Sequence, residues 1–212
     1  MVGQTRRDLL AQVADYYTAK LAQHGDRPRG VDWNGADSQV MRFEQLCKVV
    51  PDEASFSISD VGCGYGALLD YLQQRYPEFT YLGVDIAPAM IAAALKRYQG
   101  RAHARFCVGA EPPDIADYCV ASGVFNVRQD RSDGEWLEYL HATLDVLDRS
   151  SRRGFAFNCL TSYSDPERMR ADLYYADPCA LFDRCKRRYS RHVALLHDYG
   201  LYEFTILVRK DP

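Results

Sequence analysis

A chain of 212 residues, 47% of them hydrophobic, suits one soluble domain with a well-buried core and at most a small appendage. Its formal net charge of -3, with a pI near 6.0, argues against an unassisted nucleic-acid binder with a basic stripe and favours a small or neutral substrate. Seven cysteines without any Cys-x-x-Cys pair point to reduced core thiols rather than a disulfide scaffold or a zinc site, so no metal is expected.

The first ten residues lack an apolar stretch of signal-peptide length, and no run reaches membrane-spanning length; the expected location is the cytoplasm, with no membrane partner. From Thr5 to about Gln23, Leu9, Leu10, Val13, Ala14, Tyr17 and Leu21 recur at helical spacing, with Thr5 and Asp8 as a capping pair. The glycines and proline of residues 24–30 predict a loop that continues through Trp33 and Gly35, and a second helix follows over about 37–49. Residues 1–50 precede the first strand and are expected to form a helical cap or lid over the strand ends, with residues 51–212 as the core. Trp33, Gln39 and Arg42 are the notable members of the cap: Trp33 reads as a site residue or as a staple for the loop, and Arg42 as a site residue or as part of a solvated helix face.

From Phe56 onward strands alternate with helices, which predicts a three-layer α/β sandwich. Strands are expected at 56–61, 80–85, 104–108, 117–122, 154–158, 192–196 and 202–208. Helices are expected to begin near Gly66, Pro88, Asp133 and either Pro166 or Asp177, Pro88 sitting well at a first helical position. The last two strands are separated by a short segment containing Asp198-Tyr199-Gly200, which predicts a hairpin and hence an antiparallel pair.

Ser59-Asp60-Val61-Gly62-Cys63-Gly64-Tyr65-Gly66 has the form of a buried strand running through a glycine turn into a helix. Glycine at every second position lets a ligand lie against the backbone at a helix N-terminus. Asp60 at the mouth of that turn disfavours a phosphate and suits a ligand carrying a cation. A second strand, Tyr81-Leu82-Gly83-Val84-Asp85, ends in an acid about 20 residues further on, where a ribose-binding carboxylate belongs in such folds. The pattern acid-x-Gly-x-Gly-x-Gly, linked to that second acid, resembles motif I of the class I S-adenosylmethionine-dependent methyltransferases and differs from a dinucleotide fingerprint in glycine spacing. The resemblance covers roughly residues 56–210 and implies a seven-stranded, mostly parallel sheet whose last strand is inserted antiparallel.

The resemblance also implies S-adenosylmethionine as cofactor and S-adenosylhomocysteine as product. Asp60, Gly62, Gly64 and Gly66 are then expected along the methionine and ribose portion, Asp85 on the ribose hydroxyls, and Ile86 beside the adenine. Ala110 stands where many family members carry an Asp, which leaves Glu111 as the substitute adenine-edge contact or as a plain loop carboxylate. Ser122 completes the expected cofactor set, at the end of the fourth strand. Phe125, Asn126, Asn158, Tyr163 and Trp33 are expected toward the acceptor, Phe125 reading equally as core.

Methyl transfer is helped mainly by orientation and water exclusion, and a base is optional. His197, Asp198 and Tyr175 are the residues expected near the rim for that role, His197 reading also as a structural histidine and Asp198 as a turn former. Tyr163, Tyr174, Tyr175 and Tyr189 form either an aromatic wall or a stripe packed on the sheet, and Lys186, Arg187, Arg188 and Arg191 a solvated basic face or an anion contact. The expected activity is methyl transfer to oxygen or nitrogen of a small molecule, with no nucleic-acid partner. The rivals are a lyase, cyclase or aminocarboxypropyl transferase using the same cofactor, and a catalytically silent cofactor-binding subunit.

Overall fold

The computed structural model describes residues 2–33, 35–51 and 55–211, with the side chains of residues 2–5 outside that description. Helix α1 (Val2–His24) and a short 3-10 turn (Pro28–Val31) lead into α2 (Ala36–Cys47). The first half of the sheet follows as β1 (Phe56–Val61), α3 (Ala67–Arg75), β2 (Phe79–Asp85), α4 (Pro88–Arg97) and β3 (Ala104–Val108). The second half comprises β4 (Ala116–Ala121), α5 (Asp133–Arg149), β5 (Ser151–Thr161), β6 (Tyr175–Ala176), α6 (Pro178–Arg188), β7 (His192–Leu196) and β8 (Glu203–Arg209).

The strands run in the order β3-β2-β1-β4-β5-β8-β7, and β8 is antiparallel to both of its neighbours while the other pairings on this path are parallel. The seven expected strands all form. An eighth, the two-residue β6, pairs with the end of β5 off that path. The hairpin forms with a longer connection than the Asp-Tyr-Gly turn predicts, because β7 stops at Leu196 and β8 starts at Glu203. Tyr199 inside it bonds Thr205 Oγ1 at 3.0 Å.

Strand periodicity builds the two cores. Val61, Cys119, Ala121, Phe155, Phe157, Ile206 and Val208 face Trp136, Leu140 and Leu144 of α5 and Leu181 of α6, with Leu9 and Val13 of α1 joining them. Phe56, Ile58, Tyr118, Val120, Ala156 and Leu207 face the opposite way, onto Phe43 and Leu46 of α2 and Leu68, Leu69 and Leu72 of α3. A central parallel sheet is therefore buried on both sides, which is why its strands read as near-continuous apolar runs.

The helix starts are specified locally. Ser132 and Glu135 form a reciprocal capping box on α5, and the Asp177 carboxylate accepts from the Cys179 and Ala180 N–H groups ahead of α6. Pro166, the other predicted start, opens only a three-residue 3-10 turn. Helix α1 begins at Val2, so Thr5 sits within it; the Thr5 side chain of the predicted capping pair lies outside the described residues.

Candidate functional site

The order of strands reverses between β1 and β4, and the ends of β1, β2 and β4 meet at that switch point. The turn after β1 is laid on the end of β2: the Gly62 and Cys63 N–H groups both donate to the Val84 carbonyl, at 2.8 and 3.1 Å. Gly62 and Gly64 have φ of +75° and +56°, a conformation that a side chain resists. A Cβ on Gly62 would lie 2.4 Å from Val124 Cγ2, and one on Gly64 would lie 2.9 Å from Val31 Cγ1.

Two buried carboxylates flank this turn. Asp60 accepts a hydrogen bond from the Tyr81 hydroxyl at 2.7 Å. Burial pushes its carboxyl up to about 7, against the Tyr81 bond and with help from the Asp85 charge. Asp85 accepts from Gly64 N–H at 2.9 Å through Oδ2 and from Ala87 N–H at 2.8 Å through Oδ1. Burial raises Asp85 as well, while those two backbone bonds hold it down. Each oxygen of Asp85 keeps a lone pair beyond these bonds. The Ala87 bond satisfies the N–H of the residue ahead of α4, which has no side-chain cap of its own.

A cavity of about 930 Å³, its open mouth included, lies over the turn. Arg6, Leu10, Val13 and Tyr17 of α1 roof it, with Val31, Trp33 and Gln39 from the rest of the cap. Ile86, Met90, Ala110, Ser122, Tyr139 and Thr143 are among its walls. Two wall atoms, Ser122 Oγ and Arg6 Nε, are buried without a hydrogen-bond partner among the described residues. Burial raises the Tyr17 and Tyr139 phenols, Tyr139 to about 12. Among the described residues no group of side chains has the composition of a metal site, and no helix is long and apolar enough to cross a membrane.

Of the residues predicted for the cofactor, Asp60, Gly62, Gly64, Asp85, Ile86, Ala110 and Ser122 line this cavity. Gly66 and Glu111 lie outside its lining. Gly66 serves the start of α3, its carbonyl accepting the Tyr98 hydroxyl at 2.8 Å, and Glu111 is turned to Arg149 at 2.5 Å and Arg6 at 3.8 Å. Of the residues predicted toward the acceptor, Trp33 lines the cavity. Phe125 is fully buried in the α5-side core, Asn126 Oδ1 accepts from Leu160 N–H at 3.3 Å, and Tyr163 is 69% exposed. Asn158 is fully buried behind the wall, accepting from Gly123 N–H at 2.8 Å.

The three residues predicted for catalysis lie away from the cavity lining. His197 and Asp198 are exposed in the β7–β8 connection, the His197 ring beside those of Tyr163 and Phe204, and the Tyr175 hydroxyl accepts from Arg170 N–H at 2.9 Å. The tyrosines of residues 174–189 mostly pack on the sheet, and Arg187 and Arg188 of the basic run pair with Asp183 and Asp145. Sequence reasoning missed Arg6, Tyr17, Tyr139 and Thr143 as cavity residues and singled out Gln39 only as a notable member of the cap. The one available signal was the Leu10, Val13, Tyr17 stripe, which has the same spacing whether it meets a core or a ligand.

A parallel sheet with one antiparallel insertion, carrying a glycine turn between two acids at its switch point, defines a class I methyltransferase. The methyltransferase-domain family model matches residues 59–146, from within β1 to near the end of α5. The chain is 63% identical over 163 residues to the methyltransferase-family protein Rv1506c of Mycobacterium tuberculosis, a match spanning 77% of this chain and 98% of that protein. It therefore belongs to the class I S-adenosylmethionine-dependent methyltransferase family. It is also 32% identical over 132 residues to a trans-aconitate 2-methyltransferase of Methylobacterium nodulans, covering 58% of this chain and 47% of that protein. Its fold is similar to that of magnesium protoporphyrin IX methyltransferase from Synechocystis PCC 6803, solved with bound SAH, at a TM-score of 0.68 and 16% identity over 95% of this chain and 99% of that one.

Proposed function

We propose that this chain transfers a methyl group from S-adenosylmethionine to an oxygen or nitrogen of a small molecule held under a cap formed by residues 1–50. The observation that carries the reading is the cavity itself, which brings the glycine turn, two buried acids and the orphaned Ser122 Oγ beneath α1. The residues fit that cofactor: the spare lone pairs of Asp85 suit the two hydroxyls of a ribose, Asp60 suits a cationic amino group, and Ile86 and Met90 offer an apolar bed for a base.

When bound, S-adenosylmethionine supplies a methyl group on a positively charged sulfur. The protein's part is to place the acceptor in line with that methyl and to keep water away, which α1, Val31 and Trp33 do as the roof. No histidine or lysine is among the described residues of the lining, the raised phenols of Tyr17 and Tyr139 stay protonated near neutral pH, and its two carboxylates, Asp60 and Asp85, serve the cofactor in this reading. An acceptor that arrives ready to attack, such as a carboxylate or a neutral amine, suits this lining best. The relative named for trans-aconitate takes, by that name, an organic acid.

Calorimetric titration with S-adenosylmethionine, S-adenosylhomocysteine and NAD tests the reading. Micromolar binding of both adenosyl ligands and none of NAD is expected, with Asp85→Ala weakening the former by roughly 1.5–3 kcal/mol for the lost charged hydrogen bonds. Absence of adenosyl binding would overturn the assignment of this cavity.

A further inference from the structure

Arg42 reaches from α2 to a place that the cofactor reading leaves without a role. Its Nε and Nη2 donate to the two oxygens of Glu203 at 2.7 and 2.5 Å, with only 12% of the Arg42 side chain and 2% of Glu203 exposed. Its Nη1 donates to the Ser38 carbonyl at 3.0 Å, and its guanidinium carbon lies 4.4 Å from the centre of the Trp33 ring. Glu203 Oε2 accepts a further bond from Asn158 Nδ2 at 2.8 Å, and Asn158 Oδ1 accepts the Gly123 N–H at 2.8 Å. Trp33 closes the ring against Gly123, where a Cβ would meet Cζ2 of the indole at 3.0 Å.

Five residues from α2, β8, β5, the turn after β4 and the cap loop thus form one closed circuit, of which Trp33 and Gly123 line the cavity. A buried ion pair is a poor way to gain stability, since desolvating both charges offsets most of their attraction. The bidentate fork does fix geometry, because a planar guanidinium can satisfy a carboxylate at its edge while presenting its face to an aromatic ring.

We propose that Arg42 is a positioning residue for the acceptor wall. Its face holds Trp33 against Gly123, and its edge, through Glu203 and Asn158, holds the Gly123 peptide. The wall is set before a ligand arrives, so binding does not bear the entropy of ordering it. This inference rests on the reading of the cavity as the cofactor and acceptor site.

The test is Arg42→Lys, which leaves a cation for Glu203 but removes the fork and the plane. Acrylamide quenching of tryptophan fluorescence reads Trp33 directly, with Trp33→Phe giving the contribution of the buried Trp136. S-adenosylhomocysteine affinity is measured alongside, at a temperature where every variant is folded. Arg42→Lys is expected to expose Trp33 to quencher and to weaken S-adenosylhomocysteine on the order of tenfold, because Trp33 and Gly123 line the same cavity and are then no longer set before the ligand arrives. The double variant Arg42→Met with Glu203→Gln, which strands no buried charge, is expected to do the same. Folded variants in which Trp33 stays as shielded as in the parent, and the ligand binds as tightly, would overturn the proposal. Should the parent itself fail to bind S-adenosylhomocysteine, the functional reading falls, while the quenching comparison still decides whether Arg42 holds Trp33.

Discussion

Asp60 and Asp85 are both buried acids beside the glycine turn, but their bonding differs. Burial raises both, but Asp85 has two backbone donors that hold it down, whereas Asp60 has the Tyr81 hydroxyl and is pushed up to about 7. An acid raised from 3.8 to about 7 on folding binds its proton more tightly in the native state, so stability falls as pH rises through that window. Asp60→Asn should flatten this decline, which urea denaturation near pH 4.5 and near pH 7.5 measures; a tenfold difference in proton affinity between folded and unfolded chain corresponds to about 1.4 kcal/mol. An unchanged difference between the two pH values would remove the buried charge from the account. Gly123, at φ +72° and pressed on Trp33, makes a second test. Gly123→Ala should cost about 1–2 kcal/mol from left-handed strain, or roughly 2–8 °C in melting midpoint, and loosen Trp33. Asp60, Gly62, Gly64 and Asp85 were legible because each depends on local backbone form. Glu111 was not, since its direction is set by Arg149, 38 residues away in the chain.

Helix α1 shows how one element takes two roles. Leu9 and Val13 join the α5-side core, while Leu10, Val13 and Tyr17 roof the cavity. The apolar stripe announces a helix with a buried face, but spacing does not distinguish a protein neighbour from a ligand. If the helix is a lid, hydrogen exchange of its amides around residues 10–17 should slow when S-adenosylhomocysteine is added, while those of α6 keep their rates. Equal exchange with and without ligand would leave α1 a static part of the fold. The catalytic expectation at His197 and Asp198 rested on their position after a strand. The structure turns their connection outward, with His197 beside the exposed Tyr163 instead of the cavity.

Across the whole molecule, two cores on opposite faces of one sheet share β1, β4, β5 and β8, so they should melt together. Phe157, fully buried on β5 and edge-on to Phe125, is a place to test this. Phe157→Ala should cost roughly 3–5 kcal/mol and lower the melting midpoint by about 6–20 °C in a domain of this size, in one transition by both far- and near-ultraviolet dichroism. Separate transitions would show that the faces unfold independently. The amino-acid sequence by itself determined the seven strands, the final antiparallel hairpin, the glycine turn and the two acids, because alternation, turn residues and caps act over a few neighbouring positions. Only the tertiary structure decided which residues face the cavity. It sent Phe125 into the core and Asn158 behind the wall, brought Arg6 and Tyr17 over the site, and drew Arg42, which reads equally as part of a solvated helix face, into a buried pair with Glu203. Those outcomes depend on packing between elements up to 161 positions apart, and no local pattern encodes a partner at that distance.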